Sequence, residues 1–238
     1  MSARKPSARI AIIGAGGTGC ALLPLLALLP DVSLLLIDGD TVEATNLARQ
    51  PLYGPADIGR LKVQVAGERL QASRPALELV REPRFLDASN AAALLHGCDL
   101  VVDCTDDLHA RLLIDRVCAA QRIPLVTGAV HGRQVQVATL HVPGGNGAAP
   151  AGLHHLFPHR PGADQDGCDM RQVPAHVTTL AAAVMARHVE GLLQGDHSLA
   201  GMLELIDTGS GRWLRIAAPA APQDEELIAE RPRPTDHA

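Results

Sequence analysis

A doubly wound α/β domain, with a mostly parallel sheet and helices on both faces, is the fold class this sequence predicts. Three observations carry the prediction. Two strand-like runs, residues 9–13 and 32–37, are apolar apart from Arg9 and Ser33 and have the character of strands buried on both faces. A glycine-rich turn follows the first run and opens an apolar, helix-like segment. Beyond them strand-like and helix-like segments alternate, the arrangement that builds a parallel sheet.

The elements follow in order. Residues 9–13 are the first strand, and a helix runs over about 17–29, with Pro24 expected to kink it. The second strand, 32–37, ends at Asp38, and the polar stretch 39–55 is loop-like. Asp57 is placed to cap a helix reaching about residue 73. A third strand is expected at 77–80, then a short helix capped by Ser89 and ending near Gly97. The fourth strand is 99–103, and Asp106 or Asp107 opens a helix to about residue 120. Residues 124–127 and the alternating 133–142 supply a fifth and a sixth strand. The stretch 143–172, rich in Gly, Pro, Ala and His, is too long for an ordinary connector and reads as a mobile, functional loop. A helix over 174–193 tolerates Pro174 at its start. Strands at 202–206 and 213–216 form a hairpin around residues 209–211. The organisation is one domain over 1–218, with a nucleotide-binding core at 9–142 and a C-terminal helix and hairpin at 173–216. Residues 219–238 read as a disordered tail.

Composition narrows the function. A chain of 238 residues, 47% apolar and 20% charged, supports one domain with a large core. With 21 basic and 26 acidic residues the net charge is −5, so no basic face is expected for a phosphate backbone. The aromatics are Tyr53, Phe85, Phe157 and Trp213, too few for a platform that stacks single-stranded nucleic acid. The apolar run 20–30 is too short to span a bilayer, and the N-terminal residues show no signal-peptide core. Cys20, Cys98, Cys104, Cys118 and Cys168 form no CxxC pair, which argues against a disulfide framework and a four-thiolate zinc site. A cytoplasmic protein is expected, with neither membrane nor nucleic acid as partner.

Gly14, Gly16 and Gly19 match G-x-G-x-x-G between a strand and a helix, with Gly17 inside the run. Such a turn lets phosphate oxygens approach backbone N–H groups at a helix N-terminus. Asp38 ends the next strand, where a carboxylate accepts from ribose hydroxyls. Asp40, Asn46, Arg49, Gln50 and Lys62 follow, and Cys104-Thr105-Asp106-Asp107 lies beyond the fourth strand, with Arg111 after it. All fall at the edge where open α/β sheets bind ligands. Arg and Lys neutralise phosphate oxygens and Asp holds Mg²⁺, which makes a phosphoryl-chemistry set. Lys62 is notable because the chain holds 19 Arg and only two Lys. A compact ammonium differs chemically from a planar guanidinium fork. Asp106 also has a simpler reading as a helix cap, and Asp103 reads as a strand-end residue. His154, His155 and His159 read as polar loop residues.

These residues, in this order, resemble the ThiF/MoeB-type superfamily of ubiquitin-like-protein-activating adenylyltransferases, over about residues 9–216. The resemblance implies a Rossmann-like fold and MgATP-dependent adenylation of the C-terminal carboxylate of a small β-grasp protein ending in Gly-Gly. It implies that Gly14 to Gly19 cradle the nucleotide and that Asp38 binds the ribose. Asp40, Asn46, Arg49, Gln50 and Lys62 then surround the phosphates, with Asp106 as the Mg²⁺ ligand. It also implies that residues 143–172 form a crossover loop over the partner's tail, that Cys168 sits where members carry a thioester- or persulfide-forming cysteine, and that the enzyme is a homodimer acting with a conjugating or sulfur-transfer protein. Three departures stand out: Asp107 where Asn is usual, the lack of paired CxxC zinc ligands, and a short N-terminal segment in which Arg4 or Arg9 would have to supply an arginine delivered in trans.

The remaining cysteines, Cys20, Cys98, Cys104 and Cys118, read as small buried hydrophobes, whereas Cys168 lies in polar sequence. Its acidic neighbours Asp166 and Asp169 would raise a thiol pKa, so a covalent role and an inert loop thiol both stay open. Three alternatives to the main reading remain: a tRNA-modifying adenylating relative, an NAD-dependent oxidoreductase, and a binding module without turnover.

Overall fold

A computed structural model describes residues 8–143, 151–157 and 172–218. Its strands are β1 (Ala8–Ile13), β2 (Val32–Ile37), β3 (Glu78–Glu82), β4 (Leu100–Asp103), β5 (Leu125–His131), β6 (Gln134–Leu140), β7 (Met202–Asp207) and β8 (Arg212–Ala217). They form one eight-stranded sheet in the order β3-β2-β1-β4-β5-β6-β7-β8. Pairings from β3 through to β5 are parallel, and those from β5 to β8 are antiparallel.

The helices are α1 (Gly17–Leu26), α2 (Lys62–Ser73), α3 (Ala91–Leu95), α4 (Leu108–Gln121), α5 (Leu153–Leu156) and α6 (Ala175–Leu193). Alternate strand residues divide the core. Ile10, Ile12, Leu34, Leu36 and Val102 face α1, α2 and α6. Ala11, Ile13, Leu35, Ile37 and Val101 face α3, α4 and α5. Burial of both faces explains why β1 and β2 are apolar at every position but Arg9 and Ser33, which lie near the strand starts.

Several local expectations needed correction. The first helix ends at Leu26, and Pro24 lies within its last turn. Asp57 does not cap α2. It closes a 3₁₀ turn over Pro55–Asp57, accepts from the Gly54 N–H at 2.8 Å and pairs with Arg60 and Arg69. α2 starts five residues later, after Leu61. The reason is Pro55, whose fixed φ starts a separate turn. Ser89 does not cap α3 either; it donates to Asp87, and Asn90 takes the capping position. β5 runs on to His131, because pairing with β6 extends it beyond its parallel partner β4. Among the described residues, no helix is long and apolar enough to cross a membrane.

The register positions the site. Ile13 of β1 lies opposite Ile37 of β2 on one side and Asp103 of β4 on the other. Gly14, Asp38 and Cys104 therefore leave the sheet side by side. The strand order reverses between β1 and β4, which is the switch point where open α/β sheets bind ligands.

Candidate active site

The glycine turn is built against its neighbours. Gly14 has φ +96°, and a Cβ there would stand 2.9 Å from the Cys104 carbonyl oxygen. A Cβ on Gly19 would stand 2.0 Å from the Gly14 carbonyl oxygen. Both positions are closed to any side chain by the fold itself. At Gly17 a Cβ would press on Thr178 of α6 at 3.0 Å, so this glycine lets α1 and α6 pack closely. Gly16 differs: the nearest atom to its Cβ position is Nε2 of Gln50, at 3.8 Å. Room in the protein at Gly16 is room beside the helix N-terminus. No side chain caps α1 there.

Asp38 lies beneath this turn, buried. Its carboxylate accepts from the Ala15 N–H at 2.6 Å and from the Asp40 N–H at 2.7 Å. Burial pushes its carboxyl above the usual range, against the pull of those N–H donors and of Lys62. Lys62, the first residue of α2, is only 4% exposed. Its ammonium donates to Asp40 at 2.8 Å, and its backbone N–H donates to the Asp40 carbonyl at 2.9 Å. Asp38, Asp40 and Lys62 thus form one charged group at the edge.

The loop after β2 brings Asn46, Arg49 and Gln50 to the turn. The Arg49 carbonyl stands 3.5 Å from the Cβ position of Gly17. Its guanidinium donates to Asn46 Oδ1 at 2.7 Å and to the Thr45 carbonyl at 3.2 Å. Gln50 is 3% exposed, and its Oε1 has no hydrogen-bond partner. An orphan buried amide oxygen is costly unless a ligand or water completes it.

Beyond β4, Asp103 is a structural anchor, as its place at a strand end suggested. Fully buried, it accepts from the Thr105 N–H and hydroxyl and from the Thr127 hydroxyl. Arg111 braces the same loop through the carbonyls of Thr105 and Gly128. The helix cap is Asp107, which accepts from the Ala110 N–H at 2.8 Å. Asp106 is exposed and free of that duty. Asn caps helices as well as Asp does, so the Asp107 departure preserves the local structure. Among the described residues no three His, Cys, Asp or Glu side chains gather to hold a metal. Mg²⁺ commonly takes one or two carboxylates plus phosphates and water, so a lone exposed Asp106 fits that ion.

Cys20, Cys98 and Cys118 are buried as expected, while Cys104 is partly exposed. Burial raises all four thiols, Cys20 to about 12. None of these four is set to be a thiolate at neutral pH. Cys168 and most of the expected crossover loop lie outside the described residues. Two cavities of about 430 and 470 Å³ open at the opposite edge of the sheet, near Asp99 and Pro124, and none of the polar set lines them.

The family model described as "ThiF family" matches residues 4–227. The chain belongs to the ThiF family. It is 32% identical over 225 residues to the sulfur carrier protein adenylyltransferase of Thermus thermophilus, covering 92% of this chain and 82% of that one. It is 38% identical over 129 residues to the molybdopterin-synthase adenylyltransferase of Escherichia coli, covering 54% and 52%. Against the adenylyltransferase and sulfurtransferase MOCS3 of Sus scrofa it is 32% identical over 235 residues, 98% of this chain. The chain spans about half the length of the MOCS3 relatives. Among solved structures, Escherichia coli MccB has the same fold, with a TM-score of 0.79 at 19% identity, covering 98% of this chain and 68% of that one.

Two features of this ThiF-family chain escaped the sequence reading. Phe85 is 63% exposed, and its ring lies so close to Gly39 that a Cβ there would meet it at 2.7 Å. Tyr53, expected only as one of few aromatics, is buried beneath the glycine turn. Neither position has a sequence signal, because each contact joins segments that are distant along the chain.

Proposed function

We propose that this chain uses MgATP to adenylate the C-terminal carboxylate of a small ubiquitin-like or sulfur-carrier protein with a Gly-Gly-type end. The observation that carries the reading is Lys62: an ammonium almost wholly removed from water at the edge that holds the glycine turn. In the proposed reaction a carboxylate oxygen of the partner attacks the α-phosphorus of ATP. The bond to the β-phosphate breaks, and pyrophosphate leaves with its electron pair. Two anions at about 4 Å repel by roughly 4 kcal/mol at an effective dielectric near 20. Arg49 and Lys62 offset this repulsion, Gly16 and α1 offer N–H groups to the phosphates, and Asp38 receives the ribose. Asp40, Asn46 and Gln50 hold the cations and complete the pocket wall. Asp106 would hold Mg²⁺, whose charge neutralises phosphate oxygens. Little proton transfer is needed, which agrees with the lack of a nucleophile–base pair at this edge among the described residues.

Several supports come from elsewhere. The names of the Thermus and Escherichia coli relatives describe adenylyltransferases, one of them acting on a sulfur carrier. One solved MccB structure is a complex with ATP. A homodimer, a cytoplasmic location and a downstream conjugating or sulfur-transfer partner belong to the same proposal.

The test is ATP–pyrophosphate exchange with candidate carriers. Exchange should require the carrier's free C-terminal carboxylate. Exchange that needs no carrier, or that responds instead to tRNA, would overturn the reading. Cys168 serves as the acceptor in the proposed second step, in which its thiolate displaces AMP from the acyl-adenylate. Cys168→Ala should then keep exchange and lose the thioester seen on a non-reducing gel.

Phe85 lies against Gly39, the residue after Asp38, and its exposed ring would stack on the adenine. Base–aromatic stacking contributes about 1–3 kcal/mol, so Phe85→Ala should weaken ATP binding by roughly tenfold, read by calorimetry. Unchanged affinity would remove Phe85 from the site.

A further inference from the structure

The peptide that joins Ala15 to Gly16 is held from behind. Ala15 is fully buried, and its carbonyl oxygen receives two donors from the protein interior. The Tyr53 hydroxyl donates to it at 3.0 Å and the Cys20 thiol at 3.2 Å. The same hydroxyl stands 3.5 Å from the Lys62 carbonyl. On the other side of Ala15, its N–H donates to Asp38 at 2.6 Å. Both lone-pair directions of the carbonyl are therefore occupied within the core.

A trans peptide is planar, with its C=O and N–H pointing in opposite directions. Every peptide bond described here is trans. With the Ala15 carbonyl turned into the core, the Gly16 N–H must point out, toward the uncapped start of α1. A reversed peptide would aim a carbonyl oxygen at the phosphates, where a partial negative charge repels them. It would also cost the Cys20 thiol its acceptor at 3.2 Å and leave the Tyr53 hydroxyl only the longer contact to the Lys62 carbonyl. Burial raises the pKa of both groups, so both stay protonated donors. Glycine at position 16 makes such a reversal sterically easy, so the restraint has to come from elsewhere.

We propose that Tyr53 is a positioning residue for nucleotide binding: its buried hydroxyl fixes the Ala15–Gly16 peptide with the N–H facing the phosphates, and the Cys20 thiol assists it. This inference rests on the nucleotide reading above and adds a residue that does not itself touch the nucleotide. It has a signature that general destabilisation lacks. The effect must fall on the phosphates and spare the nucleoside.

Tyr53→Phe keeps the ring and removes one hydroxyl. Its melting temperature without ligand should fall by only a few degrees, as for loss of one hydrogen bond. Calorimetry should show ATP binding weakened about tenfold, with adenosine binding unchanged. In pyrophosphate exchange the KM for ATP should rise by a similar factor, while kcat changes much less. Cys20→Ala removes the other donor to the same carbonyl and should show a smaller loss of the same kind. It carries the test if Tyr53→Phe does not fold. Equal weakening of ATP and adenosine in both variants, or wild-type ATP affinity in both, would overturn the inference. Failure of the wild-type chain to bind ATP would instead overturn the nucleotide reading.

Discussion

Lys62→Ala should lower carrier-dependent pyrophosphate exchange by about 10²–10³-fold, the loss expected when one strong electrostatic donor is removed from a water-excluded site. The structure shows why the loss should be catalytic and not a failure to fold. Lys62 is 4% exposed, but its partner Asp40 has about half of its side chain in water. Once the ammonium is gone, Asp40 can turn to solvent, and buried Asp38 keeps the Ala15 and Asp40 N–H donors. The position starts α2, where alanine is an excellent helix former. A melting temperature close to wild type is therefore expected alongside the lost exchange. Lys62→Arg should not restore activity. A guanidinium is larger and planar, so in this buried position it cannot put its charge where the compact ammonium stands. Exchange near the wild-type rate in Lys62→Ala would remove the lysine from the reaction.

The second large effect separates two glycines of one motif. In Gly19→Ala the new methyl would stand 2.0 Å from the Gly14 carbonyl oxygen, a backbone atom that cannot rotate away. The turn must open, at a cost above roughly 3 kcal/mol. For a chain of this size that lowers the melting temperature by at least about 6–12 °C. Gly16→Ala meets nothing nearer than 3.8 Å, and its φ of −78° suits any residue. This variant should fold like wild type. In the proposed complex, however, the methyl occupies the space a phosphate oxygen needs, so MgATP should no longer raise the melting temperature. Thermal melts of both variants with and without MgATP give the comparison. A Gly16→Ala protein stabilised by MgATP as strongly as wild type would place the phosphates elsewhere.

The sequence and the structure agree where chemistry is written locally, and they part where partners are distant. Asp38 and Lys62 were both visible as polar residues after apolar strands, because their positions follow from strand and helix ends. That Lys62 is buried against Asp40 was not visible, since 22 residues separate them and a loop must fold back to join them. Asp57 shows the opposite failure. It carries every local mark of a helix cap, yet Gly54, Arg60 and Arg69 engage it in a separate turn. Asp106 and Asp107 were indistinguishable as caps. One hydrogen bond to Ala110 settles the duty on Asp107 and leaves Asp106 available.

By itself, the sequence determined the fold class, the strands that carry the site, the edge of the sheet on which it lies and the family resemblance. These follow from short-range patterns: two-face burial, a glycine turn between strand and helix, and polar residues at strand ends. Only the tertiary structure decided which way the groups face. The inward turn of the Ala15 carbonyl, the orphan oxygen of Gln50 and the ring of Phe85 over Gly39 depend on contacts between segments far apart in the chain. Hydrogen-bond direction and steric room are properties of assembled neighbours, and no single stretch of sequence encodes them.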